Sequence, residues 1–207
     1  MQSWWDRHIV SRMVRCGCSQ AMLCELRNHV IPLAEGRVLD IGVGAGANFA
    51  LYDQHKVTGV TGVDPSPELL KSAAEEGKRI RIPCELHQAS GEDLPFDDNS
   101  FDTVVTTFTL CSVTDPERVL AEVQRVLKPA GKFLFLEHSR CPEDSLQRWQ
   151  YRIEPIWKKL TGNCHLTRPA IANVAKSGLT LLEDHGFFAQ GKRSFIGWME
   201  WGVARKH

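Results

Sequence analysis

The sequence predicts a doubly wound α/β fold with a mostly parallel, seven-stranded sheet and a C-terminal antiparallel hairpin. Three observations predict it. Apolar, β-rich segments alternate with amphipathic segments along most of the chain, a glycine-rich turn follows the first of them, and a short connection joins the last two. Alternating strands and helices favour parallel pairing, whereas a connection too short for a helical crossover favours antiparallel pairing.

Length and composition favour one domain, residues 1–207, with 43% hydrophobic residues. Basic and acidic residues number 25 each, so the net charge gives no reason to expect nucleic acid as a partner. No segment is long and apolar enough to span a bilayer, and the first residues do not resemble a secretion signal. Seven cysteines without a disulfide-scaffold spacing favour reduced thiols, and we therefore expect a cytoplasmic protein.

Each element has its own signal. Apolar residues at helical spacing from residue 4 predict an N-terminal helical cap, residues 1–30, which ends before Pro32. One helix opens with prolines and an acidic first turn and ends at Gly77, and another opens with Asp115-Pro116-Glu117. The glycine turn is expected to open a further helix. Strands are predicted at 37–41, 57–63, 80–87, 101–108, 132–137, 179–183 and 195–203, and helices at 67–77, 115–127, 143–159 and 168–176.

The first strand leads into the most informative segment, Val38-Leu39-Asp40-Ile41-Gly42-Val43-Gly44-Ala45-Gly46-Ala47-Asn48. A glycine turn after a strand places backbone N–H groups beside a bound nucleoside, and glycines adopt positive φ without a side chain in the way. The carboxylate of Asp40 suits a cationic ligand such as S-adenosylmethionine, which carries an ammonium and a sulfonium. An ordinary tight turn and a dinucleotide site, whose pattern Gly42, Gly44 and Ala47 match, remain the alternatives.

Two further segments extend this candidate site. Asp64 ends the second strand at the spacing from which a carboxylate accepts hydrogen bonds from two ribose hydroxyls, although it could equally cap the following helix. The segment Ser90-Gly91-Glu92-Asp93-Leu94-Pro95-Phe96 follows the third strand, and a turn there could contact the edge of a purine. A simple connecting loop is the other interpretation of this segment.

These motifs, together with Ser100-Phe101-Asp102 and Leu127-Lys128-Pro129-Ala130-Gly131, occur in an order that resembles the class I S-adenosylmethionine-dependent methyltransferases with a type 11-like domain. The resemblance covers roughly residues 37 to 137. It implies a Rossmann-like methyltransferase fold with a cofactor-binding core at 37–138 and substrate-side helices and a closing hairpin at 139–207. It also implies S-adenosyl-L-methionine as cofactor and S-adenosyl-L-homocysteine as product.

The resemblance implies a role for each matched position. Asp40, the Gly42–Gly46 turn and Asn48 would hold the methionine part of the cofactor, and Asp64, beside Pro65, would accept the ribose hydroxyls. Many relatives carry Asp where Ser90 stands, so a carboxylate contact to the adenine amino group is not expected here. The implied cofactor residues are Asp40, Gly42, Gly44, Gly46, Asn48, Asp64, Pro65, Ser90, Gly91, Glu92, Thr107 and Phe108.

The second half carries a narrower set of motifs: Leu110-Cys111-Ser112-Val113, Glu137-His138, Glu154-Pro155-Ile156-Trp157 and Asn163-Cys164-His165-Leu166-Thr167-Arg168. This set is similar to the animal alkyl-thiol S-methyltransferases and their soluble bacterial relatives. It implies a small thiol as the methyl acceptor. The animal members have an N-terminal hydrophobic anchor that this chain is not expected to carry, so their membrane location and lipophilic substrates are not carried over.

His138 is the candidate acid/base, because it ends a central strand and an imidazole accepts protons near neutral pH. A structural histidine beside Glu137 is the alternative. Cys111, Cys164, His165 and Arg168 are candidates for the substrate pocket, although Cys111 suits core filling and Arg168 a helix cap or a surface ion pair equally well.

No metal is expected, because Cys16-x-Cys18 and Cys24 lack a second paired motif. The sequence therefore predicts an S-adenosylmethionine-dependent methyltransferase that acts on a small thiol. Methylation of nitrogen, oxygen or carbon in a small metabolite or lipid headgroup is the first alternative, and a non-catalytic cofactor-binding module is the second. Nucleic acid and a membrane span are not expected, and the sequence makes no prediction of oligomeric state.

Overall fold

The computed structural model describes residues 21–207. Most of the predicted N-terminal cap and the Cys16-x-Cys18 pair lie outside the described residues. The described part begins with helix α1, Ala21–Arg27, which a 3-10 turn at Ile31–Leu33 connects to the first strand.

Seven strands form one sheet in the order β3-β2-β1-β4-β5-β7-β6. Neighbours from β3 to β5 pair in parallel, whereas β7 pairs antiparallel with both β5 and β6. The predicted fold class, including the antiparallel hairpin, is therefore confirmed. The strands are β1 (Gly36–Ile41), β2 (Val57–Val63), β3 (Cys84–His87), β4 (Phe101–Thr107), β5 (Leu127–His138), β6 (Thr180–Phe188) and β7 (Trp198–Arg205).

Four helices follow α1, and the first two begin at side-chain caps. Ser66 accepts a hydrogen bond from the Leu69 N–H at the start of α2, and Asp115 accepts bonds from Glu117 and Arg118 at the start of α3. A proline occupies the first helical position of each. The helices are α2 (Pro67–Gly77), α3 (Pro116–Val126), α4 (Asp144–Leu160) and α5 (Ala170–Lys176).

Several predicted elements differ from the structure, and strand β6, predicted to end at residue 183, continues to Phe188. The helix predicted after the glycine turn is wrong: only a 3-10 turn, Phe49–Leu51, forms there, because side chains of this segment bond back to β1. Strand β3 starts at Cys84 rather than at residue 80, after Pro83, which has no N–H to donate. Strand β5 starts at Leu127, because Leu127 pairs with Phe101 before a register shift.

The core has two layers, one on each face of the sheet, because successive strand residues point to opposite faces. In β5, Phe133 and Phe135 pack in the layer with α3 and α5, whereas Leu134 and Leu136 pack in the layer with α1. No helix among residues 21–207 is both long and apolar enough to cross a lipid bilayer.

Candidate active site

The loop after β1 forms one wall of a large cleft at the carboxyl end of the sheet. Gly42, Gly44 and Gly46 all have positive φ, at 70°, 55° and 83°. A Cβ on Gly42 would collide with Thr109, so the loop lies tightly against the strand end. At Gly44 a Cβ would meet only the Gly42 carbonyl, at 3.9 Å, so this part of the loop opens onto free space. The loop can therefore approach a ligand with bare backbone.

Asp64 follows β2 and lies directly opposite this loop. Its Oδ2 accepts a hydrogen bond from the Gly44 N–H at 3.0 Å, and its Oδ1 accepts one from the Ser66 N–H at 2.8 Å. Ser66, rather than Asp64, caps α2. Burial raises the pKa of Asp64, while the two N–H donors oppose that rise. Each carboxylate oxygen keeps a lone pair for a further donor such as a hydroxyl.

Asp40 lies beneath the loop, with no exposed surface, and does not line the cleft. Asn48 donates to both carboxylate oxygens, at 3.2 and 2.9 Å, and the Tyr52 hydroxyl donates at 2.9 Å. Burial raises the pKa of Asp40 to about 6, although both hydrogen bonds lower it. Asn48 also donates to Thr107, which connects the loop to the end of β4. Asp40 therefore stabilises the loop through its hydrogen bonds with Asn48 and Tyr52.

The segment after β3 forms another wall of the cleft. A Cβ on Gly91 would lie 2.8 Å from Ile41 Cγ2, so this loop packs closely against β1. The Ser90 hydroxyl donates to Glu92. The other oxygen of Glu92 accepts bonds from the Thr114 and Asp115 N–H groups, at 3.0 and 3.3 Å. Glu92 therefore joins this loop to the start of α3.

Another part of the cleft, at the ends of β4 and β5, brings together three side chains that the sequence separates widely. Cys111 follows β4, His138 ends β5, and Cys164 lies between α4 and α5. The Cys164 Sγ lies 3.5 Å from the Cys111 Sγ and 3.6 Å from His138 Nδ1. The hydrogen bond with Cys164, followed by burial, raises the pKa of Cys111 well above its usual value. All three residues line the cleft.

Buried polar contacts fix the loops that carry these side chains. Glu137 has no exposed surface, and its carboxylate accepts the N–H groups of Thr109, Leu110 and Cys111 at 3.0–3.1 Å. Burial raises the pKa of Glu137, while these three donors oppose the rise. One Arg168 nitrogen donates to the Leu110 and Val113 carbonyls at 2.9 and 2.7 Å.

Most residues proposed from the sequence meet at this cleft, and three do not. Asp40, His165 and Arg168 are absent from its lining. His165 instead contacts Glu154, and its N–H donates to the Cys111 carbonyl. The lining includes Gly42, Gly44, Gly46, Asn48, Asp64, Pro65, Ser90, Gly91, Glu92, Thr107, Phe108, Cys111, His138 and Cys164.

The cleft also contains residues that sequence reasoning did not propose, Arg27 and Met199 among them. Arg27 lies 5.1 Å from the centre of the Phe108 ring, whose own backbone has a positive φ of 57°. Met199, on β7, pairs with His138 on the neighbouring strand. Neither residue belongs to a recognisable motif. Only the period-two pattern of the last strand could have indicated Met199.

Comparisons with known proteins agree with this geometry. A family profile described as "Methyltransferase domain" matches residues 39–135. The thiol S-methyltransferase TMT1B of Rattus norvegicus is 40% identical over 148 residues, which are 69% of this chain and 59% of the relative. The human thiol S-methyltransferase TMT1A is 34% identical over 168 residues, 78% of this chain and 67% of the relative.

A solved SAM-dependent methyltransferase from Thermotoga maritima superposes with a TM-score of 0.70 at 22% identity, with 98% of each chain covered. This similarity supports the fold alone. The chain spans 59% of the length of the rat relative, so the activity and substrates of the complete relatives do not transfer directly.

Proposed function

We propose a methyl-transfer function from one premise: the chain belongs to the family of S-adenosylmethionine-dependent methyltransferases, whose cofactor is S-adenosylmethionine. The proposed acceptor is a small thiol. One observation carries the proposal: the glycine loop with Asp64 and the group of Cys111, His138 and Cys164 line the same cleft. The 34–40% identity with thiol S-methyltransferases, over 69–78% of the chain, supports a thiol.

The residues of the loop fit the cofactor. Free space above Gly44 admits a nucleoside, and Asp64 retains acceptor capacity for two ribose hydroxyls. Asp40 places negative charge beneath the loop, and we propose that it acts through Asn48 rather than by direct contact. Ser90, Gly91 and Glu92 are proposed to border the adenine, and Thr107 and Phe108 to form the wall near the sulfur.

When bound, S-adenosylmethionine supplies an electrophilic methyl group: a carbon–sulfur bond forms to the acceptor sulfur, and the sulfonium bond breaks with its electron pair. The protein aligns the acceptor and excludes water. We propose that His138, which lines the cleft beside Cys111 and Cys164, accepts the proton of the acceptor. Because a thiol is already partly ionised near neutral pH, this base assists the proposed thiol methylation without being indispensable to it.

Location and partners complete the proposal. We propose a cytoplasmic enzyme that acts on a free small molecule rather than on nucleic acid. Equal numbers of basic and acidic residues support this choice.

Product analysis tests the acceptor. The full chain would be incubated with S-adenosylmethionine and simple alkyl thiols, amines or phenols, and methylated products would be measured by mass spectrometry. We expect methyl thioethers to dominate. Methylation of amines or phenols alone would reject the thiol, and no turnover with intact S-adenosylhomocysteine binding would favour a non-catalytic module.

His138→Gln tests the proposed proton acceptor. We expect kcat to fall about ten- to a hundredfold, at the low end of effects for general bases, because thiols ionise readily. Affinity for S-adenosylhomocysteine should stay unchanged. His185→Gln is the matched control, since His185 is exposed and contacts Glu183. An unchanged kcat in His138→Gln would remove His138 from the reaction.

A further inference from the structure

Cys111, His138 and Cys164 form a compact group of potential metal ligands in the cleft, and the proposed methyl transfer gives no role to the two cysteines. One ligand atom from each of Cys111, His138 and Cys164 lies within 4.8 Å of the others. The two cysteines are almost completely buried, whereas His138 is partly exposed toward the cleft. Two thiols and an imidazole are the side chains that zinc prefers in proteins.

The distances between these atoms match a tetrahedral ion. Zn–S bonds of about 2.3 Å and Zn–N bonds of about 2.0–2.1 Å give tetrahedral edges of about 3.8 Å between sulfurs and about 3.6 Å between sulfur and nitrogen. The structure has 3.5 Å between the two Sγ atoms and 3.6 Å between Cys164 Sγ and His138 Nδ1. These two distances would change by only a few tenths of an ångström, and Cys111 Sγ lies within 4.8 Å of the His138 ligand atom.

The loops that carry the two cysteines are bonded to each other. The His165 N–H donates to the Cys111 carbonyl at 2.7 Å, and the Asn163 side chain donates to the Ser112 carbonyl at 2.9 Å. The three N–H bonds to Glu137 fix the Cys111 loop on β5, the strand that ends in His138. The three ligands are therefore held in place before any ion binds, which reduces the entropic cost of binding.

The charges around the group also suit a divalent cation. Two thiolates neutralise a doubly charged ion. The Glu137 carboxylate and the Arg168 guanidinium carry opposite charges, and both contact the Cys111 loop. With water as the fourth ligand, a bound ion would therefore leave no uncompensated charge beside these residues.

We infer that Cys111, His138 and Cys164 form a binding site for a thiophilic divalent cation of the zinc type, with its fourth position open to the cleft. Three protein ligands plus an exchangeable position are the arrangement of a reactive rather than a purely structural zinc site. One part of the inference rests on the proposed function: the fourth ligand is the thiolate of the methyl acceptor.

Binding of the acceptor to the ion is a ligand exchange. Water leaves the fourth position, a zinc–sulfur bond forms, and the thiol proton passes to solvent. With the ion bound, His138 would coordinate through Nδ1 and the ion would activate the thiol, so His138 accepts the acceptor's proton only in the metal-free protein.

Cobalt(II) substitution tests the site without cofactor or acceptor. The full chain, reduced and freed of metal with a chelator, would be titrated with Co²⁺. We expect saturation at one ion per chain, a near-ultraviolet sulfur-to-cobalt charge-transfer band and the visible bands of a four-coordinate ion. Zn²⁺ should displace Co²⁺ and abolish both signals, because zinc lies above cobalt in affinity. No charge-transfer band at one equivalent would overturn the inference.

Variants identify the ligands. Cys164→Ser and Cys111→Ser should each weaken Co²⁺ binding at least about 100-fold, more than the loss of an outer-shell contact, and reduce the charge-transfer band. Cys84→Ser and the double variant Cys16→Ser/Cys18→Ser should bind as the wild type does. A full band in Cys111→Ser/Cys164→Ser would place the metal elsewhere.

X-ray absorption of the zinc-loaded wild type keeps the inference testable even where a variant does not fold. Two sulfurs at about 2.3 Å support the site, and a shell of oxygen and nitrogen alone rejects it. These measurements involve no methyl transfer. Their failure leaves the proposed function standing, and methylation of amines alone leaves the metal site standing but removes the thiolate as fourth ligand.

Discussion

Among single residues, Asp40 combines complete burial with a large rise in pKa. Its carboxylate is completely buried and accepts hydrogen bonds from Asn48 and Tyr52, so two neutral donors compensate a charge that burial disfavours. The result is a pKa near 6 for a group that ordinarily titrates near 4. Asp40 therefore makes the protein's stability sensitive to mildly acidic pH.

This sensitivity has a definite sign. The unfolded chain releases the Asp40 proton at about pH 4, whereas the folded protein keeps it until about pH 6. Between these values the folded state binds more protons, so the stability contributed by protonated Asp40 is fully present below about pH 4 and is lost as pH rises to about 6.

Asp40→Asn tests this prediction. Urea unfolding would be measured between pH 4 and 7 for the wild type and the variant. The free energy of unfolding of the wild type, minus that of the variant, should fall by on the order of 2 kcal/mol across the window, from a shift of about two pKa units. Asp64 and Glu137 titrate in both proteins and cancel. A difference that stays constant or rises with pH would contradict the result.

At the scale of an element, the glycine loop combines tight packing with one open position. Gly44 has a positive φ of 55° and free space in front of it, whereas Gly42 and Gly46 are closed by Thr109 and Phe49. Of these three glycines, only Gly44 has room for an added methyl group. An alanine at Gly44 therefore tests contact with the ligand, provided that the strain of a positive φ is measured separately in a control variant.

Gly44→Ala should weaken S-adenosylhomocysteine binding at least about tenfold, because the new methyl group occupies the space next to the ligand. Gly191→Ala is the matched control: Gly191 has a φ of 64°, and a Cβ added there would have no atom within 4 Å. Both variants should lose about 1 kcal/mol of stability from positive φ. Calorimetry measures affinity, and equal affinity in Gly44→Ala and Gly191→Ala would place the ligand away from this loop.

The bounds of some helices and strands follow directly from the sequence, and others do not. The observed bounds of β2 and α2 equal the predicted ones, because turn residues flank each apolar run. Strand β5 is longer than predicted, since its first residues gain their strand geometry from pairing with Phe101 and not from their own pattern, which includes Pro129. Turn residues in the sequence therefore indicate where an element lies, whereas pairing with a neighbouring strand can lengthen a strand beyond its sequence pattern.

The same limit applies to the site. The glycine loop and Asp64 follow consecutive strands, so their proximity follows from the predicted topology. Cys111 and Cys164 are 53 residues apart and belong to two loops, and no local pattern predicts the 3.5 Å between their sulfurs. Asp40 shows a second limit, because the sequence indicates the carboxylate but not the Asn48 and Tyr52 donors that bury it.

For the whole molecule, cofactor binding should increase resistance to heat. S-adenosylhomocysteine at 100 times its dissociation constant stabilises the folded state by about 2.7 kcal/mol, and we expect a rise in Tm of about 5–11 °C for a domain of this size.

Asp64→Asn should bind S-adenosylhomocysteine about tenfold more weakly, because the loss of a hydrogen bond to a charged group costs about 1–3 kcal/mol. At the same ligand concentration its stabilisation then falls to about 1.4 kcal/mol.

Thermal scans with and without ligand give both values, and each protein is compared with its own ligand-free form. The baseline stability of Asp64→Asn therefore does not affect the comparison. An equal rise in Tm for wild type and variant would remove Asp64 from the cofactor site.

Strand β7 lies between β5 and β6, although it is the last of the three along the chain. While the nascent polypeptide leaves the ribosome, β5 and β6 are complete before the strand that joins them. Until then the apolar β5, with Phe133 and Phe135, presents an unpaired edge that can recruit other chains. A fragment that ends before residue 198 would therefore keep this edge exposed, and we expect it to aggregate more readily than the complete chain.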